Sequence, residues 1–428
     1  MTRVAIVGGG AAGTLQALHL RQAGVTDIVL IERVHEPGRG VAYSTARPEH
    51  LLNVPARRMS ALADDGDHFA RWFADQSGGT PEDFAPRMVY GDYLAGLLAE
   101  AGVAVVEGEA VAIADGAVTL ADGRTIAADA FVLAPGNFTP ATPRGIDPAA
   151  LGDLWVDDPW DGDIAAGLRA SDELLLVGTG LTAVDAALTL DALGFAGRIR
   201  ALSRRGLAPR AHEAREPGVA ALEDLPADCV GLLRHIRCRA ETVGWRSAVH
   251  ELRPITQAIW RGAAPAERRR FLRHLRPWWD VHRHRIAPAI GDRIDALRAS
   301  GRLSFAAGRL VSAERDGDRA IVRYRPRGSE RIETLLVARV VNCTGPETDI
   351  ARAGEPLLTS LLDAGRIRAD PLKLGIDVTA GCRAVAADGS DSPDLFVIGP
   401  VTKGAFWESV AVPDIRGQAA RVAALIAG

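Results

Sequence analysis

The 428-residue chain has little cysteine and almost no lysine. Its four cysteines, Cys229, Cys238, Cys343 and Cys382, form no C-x-x-C or C-x4-C pair. That spacing excludes a dithiol redox centre and argues against a disulfide framework or a zinc site. Two histidines of the segment 261–298, His282 and His284, are two apart and would not share a helical face, so no metal site is expected. Lysine occurs only at Lys373 and Lys403, leaving basic charge almost entirely to arginine, a bias that a GC-rich genome largely explains. No apolar run is long enough to span a bilayer. A formal net charge of -4 gives no reason to expect nucleic acid or an anionic membrane as partner. An apolar strand begins almost at Met1, leaving no room for a signal peptide, and a cytoplasmic protein is expected. With 47% hydrophobic residues, the chain can bury a sizeable core in two or three domains.

What the chain does contain is a strand–glycine-turn–helix unit, twice. The first reads TRVAIVGGGAAG, with Gly8, Gly10 and Gly13 after the apolar run Val4–Val7. The second reads ELLLVGTGLTAVD, with Gly178 and Gly180 after Leu174–Val177 and Ala183 at the third small position. In such a turn the first glycine permits the bend and the second lets backbone approach a pyrophosphate. The third position is small so that helix and strand can pack. The first helical residues, Ala11 and Ala12 in one unit and Leu181 and Thr182 in the other, then present free N–H groups to the phosphates. Two such units predict two bound dinucleotides.

Each unit continues in the same order. A helix over 11–23 leads to a strand over 27–32, a strand-rich stretch over 103–126, and an apolar strand closing at Gly136. A helix over 181–193 leads to a strand over 198–203, a strand-rich stretch over 303–336, and the closing string ARVVNCTGP. Glu32 ends its strand about 20 residues after the turn, where a carboxylate can accept hydrogen bonds from ribose hydroxyls. The equivalent place in the second unit carries Ser203, Arg204 and Arg205. Guanidinium groups there would pair with the 2′-phosphate of NADPH, although a surface pair in an arginine-rich chain would look the same. Gly38, Arg39 and Gly40 form a loop suited to close backbone approach, with an arginine for a phosphate or for solvent.

This duplication resembles the glutathione-reductase-like flavoproteins, in which a flavin domain is interrupted by a nicotinamide domain and completed by the C-terminal segment. DLFVIGP (Asp394–Pro400) is similar to the strand that carries the flavin ribitol contact, with Pro400 in place of the usual acid. Three strings narrow the match: GRGVAYSTARPEHLLNVPA (Gly38–Ala56), GTGLTAVDAAL (Gly178–Leu188) and GAFWESVAVPDIRGQA (Gly404–Ala419). Together they resemble bacterial FAD/NAD(P)-binding proteins related to the flavin N-monooxygenases that oxidise the aspartate amine to nitrosuccinate. The resemblance implies an α/β fold with two interleaved Rossmann-like domains, small β-meanders and a helical insertion at about 206–301. The expected division is an FAD domain over 1–150, an NADPH domain over 151–338, and the rest of the FAD domain over 339–428. It also implies FAD and NADPH as cofactors, with dioxygen and a small amine as reactants.

Around the cofactors it draws in Arg33, Val111, Ala134, Gly136, Gly345, Gly399, Pro400 and Val412. Asn53, in the apolar string LLNVPA, falls near the flavin by the same resemblance; a turn-stabilising role is nearly as apt. Trp407 precedes a helix start that would face the flavin ring, or it is simple packing. These two are the candidate catalytic residues. The segment 261–298 carries ten arginines against four acids, which suits either a lid steering a carboxylate-bearing substrate or a solvated amphipathic face. The expected activity is NADPH-dependent flavin monooxygenation of a small amine or amino acid. A flavin reductase serving another acceptor, and a nucleotide-binding redox sensor, are the alternatives.

Overall fold

The computed structural model describes residues 2–33, 36–160, 162–213 and 225–428; part of the expected insertion, 214–224, lies outside the described residues. Two sheets organise the chain. The first has six strands in the order Arg383–Val385, Asp391–Val397, Ala130–Leu133, Arg3–Val7, Asp27–Glu32 and Ala104–Glu107. All neighbours are parallel except the first pair. Its central strands are buried along nearly their whole length, as parallel strands covered on both faces must be.

The second sheet has seven strands in the order Glu333–Val337, Arg319–Pro326, Leu303–Asp316, Arg198–Ser203, Glu173–Val177, Arg339–Asn342 and Trp155–Val156. The glycine-turn strands therefore sit centrally in both sheets. A separate meander, Ala110–Ala114, Ala117–Leu120 and Thr125–Ala127, belongs to the first half. Its counterpart in the second half is fused to the main sheet: the long strand Leu303–Asp316 pairs in parallel with Arg198–Ser203, then continues antiparallel to Arg319–Pro326.

Two boundaries differ from the sequence expectation. Arg339–Asn342 opens the segment expected to rejoin the flavin domain, yet it pairs with Glu173–Val177 and Trp155–Val156 in the second sheet. The last helix of the expected insertion, Pro288–Ala299, buries Ile290, Ile294 and Leu297 in the core of the second sheet. It is the crossover helix that a parallel connection from 203 to 303 requires. The inserted helices proper are Cys229–Glu251, broken at Gly244, then Thr256–Gly262, Pro265–Arg270 and Arg276–Arg283. Among the described residues no helix is long and apolar enough to cross a membrane.

Candidate dinucleotide sites and a cavity walled by the insertion

The first glycine turn is shaped by close backbone contact. Gly8 has φ +103°, and a Cβ there would lie 2.2 Å from Ala134 O; one on Gly13 would lie 1.8 Å from Gly8 O. Gly10 stands before the helix Ala11–Gln22, which has no side-chain cap and no acid in its first turn, so its N–H groups point outward uncompensated. Glu32 closes the turn, its Oε2 accepting from Gly9 N at 2.6 Å and its Oε1 from Arg33 N at 2.7 Å. The Arg33 guanidinium instead reaches Glu355 at 3.2 Å.

Gly38 N donates to Gly9 O at 2.7 Å, and Gly40, at φ +62°, brings its own backbone against Gly10. Arg39 between them is engaged by Asp92 at 2.6 Å, so its charge is already met by a carboxylate. Gly399 meets the same helix start: a Cβ there would lie 3.3 Å from the Ala12 Cβ. Its N–H donates to the buried Gln418 at 2.8 Å, and Pro400 begins a short turn beyond it. Val111 sits at a bulge where the register shifts between Ala110 and Ala112, which takes its peptide out of the ladder. Gly136, at φ +74°, follows the strand Ala130–Leu133 and Ala134.

The second turn repeats the first contact. Gly178 has φ +131°, with a Cβ position 2.1 Å from Cys343 O, while Gly180 faces open space and Ala183 is buried. Leu181 and Thr182 begin an uncapped helix, Leu181–Ala192. Ser203 is occupied in holding the next turn: its hydroxyl bonds Thr179 at 2.8 Å and accepts from Gly206 N at 3.0 Å. Arg204 is exposed, whereas Arg205 turns toward Arg273 O at 3.4 Å. Gly345, at φ +85°, lies just past Arg339–Asn342, at the same end of the second sheet as Gly178.

A cavity has walls that include Asn53 and Arg58 from the first unit, His250 and Arg283 from the insertion, and Glu408 and Ala411 before the last helix. Ala411 leaves that helix, Val412–Ala427, without a side-chain cap. Asn53 O accepts from His212 at 3.1 Å. Glu408 is almost wholly buried, paired with Arg283 at 2.9 Å and accepting from Trp279 Nε1 at 3.0 Å. Burial opposes its charge, but Arg283, His284, Trp279 and Lys403 together hold its carboxyl below the ordinary range. Burial also lowers His284, and burial with the nearby Glu408 pushes Asp414 up to about 6.

Trp407 is not on the cavity wall. Its ring stacks on Trp260 at 4.8 Å and meets Phe271 edge-on at 5.0 Å, so the candidate catalytic tryptophan is a packing residue that clamps the insertion to the C-terminal segment. The sequence reading also missed Arg58, His250 and the pair joining Arg87 to Asp185 at 2.8 Å, because none belongs to a local motif. All four cysteines are free; burial raises the Cys343 thiol far above its usual range and the Cys229 and Cys382 thiols to about 11.

Residues 5–138 match the family model described as FAD-NAD(P)-binding, a span that includes the first turn, Glu32, Asn53 and Gly136. No curated protein matches the chain. Among solved structures, the ornithine N-hydroxylase of Kutzneria sp. 744 is 16% identical, with a TM-score of 0.67 over 100% of this chain and 99% of its own. The ornithine hydroxylase of Pseudomonas aeruginosa is 14% identical, with a TM-score of 0.68 over 100% and 98%. The L-lysine 6-monooxygenase of Pseudomonas syringae is 19% identical, with a TM-score of 0.67 over 100% and 99%. The fold is that of the two-dinucleotide flavoproteins. The duplicated sheets and glycine turns are thereby those of a known architecture, with FAD and a nicotinamide nucleotide as the cofactors it accommodates.

Proposed function

We propose that the chain is an FAD- and NADPH-dependent monooxygenase that oxygenates the nitrogen of a small amine or amino acid. The observation that carries this reading is a chain with two glycine turns built alike and a cavity lined by the first unit, the insertion and the segment before the last helix. Solved structures of the same fold over the whole chain include ornithine hydroxylases and an L-lysine 6-monooxygenase. The first and last parts of the chain would hold FAD, and 151–342 the nicotinamide nucleotide.

The flavin, when bound, supplies hydride acceptance and oxygen activation. This chain's part is to hold and shield. The uncapped helix at Ala11 and the Glu32 carboxylate suit a pyrophosphate and a ribose. The insertion walls one side of the cavity and limits water entry there. Among the described residues, four arginines, Arg58, Arg253, Arg283 and Arg285, line it against one carboxylate, Glu408, a balance that favours a substrate bearing a carboxylate. Arg283 is already paired with Glu408, which makes it a poor direct partner for that group. The cytoplasm, where NADPH is supplied, is the proposed location.

Rapid mixing of the reduced protein with oxygen, with and without a panel of amino acids and amines, tests the reading. Oxygen should be incorporated into the substrate nitrogen in step with NADPH oxidation. Release of FMN on denaturation, or NADPH oxidation that never yields an oxygenated amine, would sink it.

A further inference from the structure

A second group of cations lies on the second sheet, away from the cavity. The turn after Ser203 folds onto the strand Leu303–Asp316: a Cβ on Gly206 would come within 2.9 Å of Ala307 N. Arg327 N also donates to Ala307 O at 2.9 Å. These contacts set Arg204 beside the antiparallel extension, where it shares an open cleft with Arg309, Arg325 and Arg327.

Arg309 and Arg325 are register partners, so their side chains leave the same face directly opposite one another. Like charges in that arrangement are destabilising on their own. Other arginines of the extension are satisfied: Arg319 by Asp172 at 2.7 Å, Arg315 by Asp153 at 2.5 Å, and Arg323 by Glu314. Among the described residues, Arg204, Arg309 and Arg327 have no carboxylate within ion-pair distance. Arg325 has only Glu330, at 3.6 Å and 96% exposed.

The position of the cleft names its ligand. It opens at the carboxyl end of Arg198–Ser203, the strand end that corresponds to Glu32 in the first unit. There Ser203 is spent on the turn and Arg205 faces Arg273 O. We infer that Arg204, Arg309 and Arg325 form the pocket for the 2′-phosphate of the nicotinamide nucleotide and set its preference for NADPH, without Arg205. This rests on the nicotinamide reading of the second glycine turn. A phosphate monoester takes charge-assisted hydrogen bonds from several guanidinium forks at once and relieves the repulsion between Arg309 and Arg325.

Calorimetric titration of the flavin-loaded protein with adenosine 2′,5′-bisphosphate and with 5′-AMP tests it without turnover. The wild type should prefer the bisphosphate. Arg309→Gln and Arg325→Gln should each reduce that preference by roughly three- to tenfold and leave 5′-AMP affinity unchanged. Arg323→Gln, which removes the same charge from the same strand, should not. If both variants keep the wild-type preference, or the wild type binds 5′-AMP with no preference, the inference falls and the nicotinamide reading stands. If the wild type binds neither nucleotide and NADPH does not reduce its flavin, both fall.

Discussion

Lys403 is one of two lysines in a chain that elsewhere uses arginine, and it lies 4.7 Å over the ring of Trp407. Burial, with the nearby Arg276, lowers its ammonium to about 8. Because the folded-state value is below the unfolded one, the cost of charging Lys403 is fully present below pH 8. It disappears as pH rises through the interval from about 8 to about 10.5. Lys403→Met should therefore stabilise the protein at pH 7 by about 1–2 kcal/mol, the lost cation–π contact offsetting part of the gain. The gain should vanish near pH 10.5 in denaturant melts. Lysine labelled at Cε should give two resolvable NMR signals, and one should titrate near pH 8; two signals both titrating above pH 10 would refute the shift. A change of all four cysteines to serine should leave NADPH-dependent flavin reduction intact, since Cys343 and Cys382 are buried with thiols pushed upward and cannot reach a partner.

At the scale of elements, the glycine turn and the aromatic clamp make separate predictions. Gly10→Val would push a branched side chain toward Gly40 Cα, which lies only 3.3 Å from a Cβ at that position, and over the helix start meant for a pyrophosphate. The variant should be purified colourless, as judged by flavin absorbance, while the wild type is yellow and releases FAD. Trp260→Ala removes the ring stacked on Trp407 and the Nε1 hydrogen bond to Gly404 O at 2.8 Å. A loss of about 3–5 kcal/mol is expected, with limited proteolysis cutting first within the insertion. The turns, the helix starts and the strand Asp27–Glu32 were legible in the sequence because their determinants are local: small residues at fixed spacing and unbroken apolar runs. The fused meander and the crossover helix Pro288–Ala299 were not, since which sheet a segment joins depends on partners far away in the chain. The same holds for the candidate site. Glu32 announces itself by its distance from the turn, but the partner of Glu408 is Arg283, and nothing in the local string around either residue signals that pairing.

At the scale of the whole molecule, Arg87 and Asp185 join the first unit to the helix that begins the second, with both side chains largely buried. His50 adds a bond to Thr189 on the same helix at 2.9 Å. Arg87→Met should cost about 3–5 kcal/mol by stranding the Asp185 charge, and Arg87→Met with Asp185→Leu should cost clearly less. A double-variant loss equal to the sum of the Arg87→Met and Asp185→Leu losses, measured by urea denaturation, would mean that the pair contributes no coupling. The two units share more than this junction. Gly8 is locked against Ala134 O and Gly178 against Cys343 O, so each half carries the same steric constraint whichever nucleotide it receives. A saturation mutagenesis library would accordingly show two silent-only positions in matching places, at 8 and 178. At the strand end beyond the second turn, by contrast, the exposed Arg204 should accept substitution with a change of nucleotide preference rather than a loss of fold. The choice of nucleotide is thereby left to the strand ends, while the hinge of each turn has no room for any side chain at all.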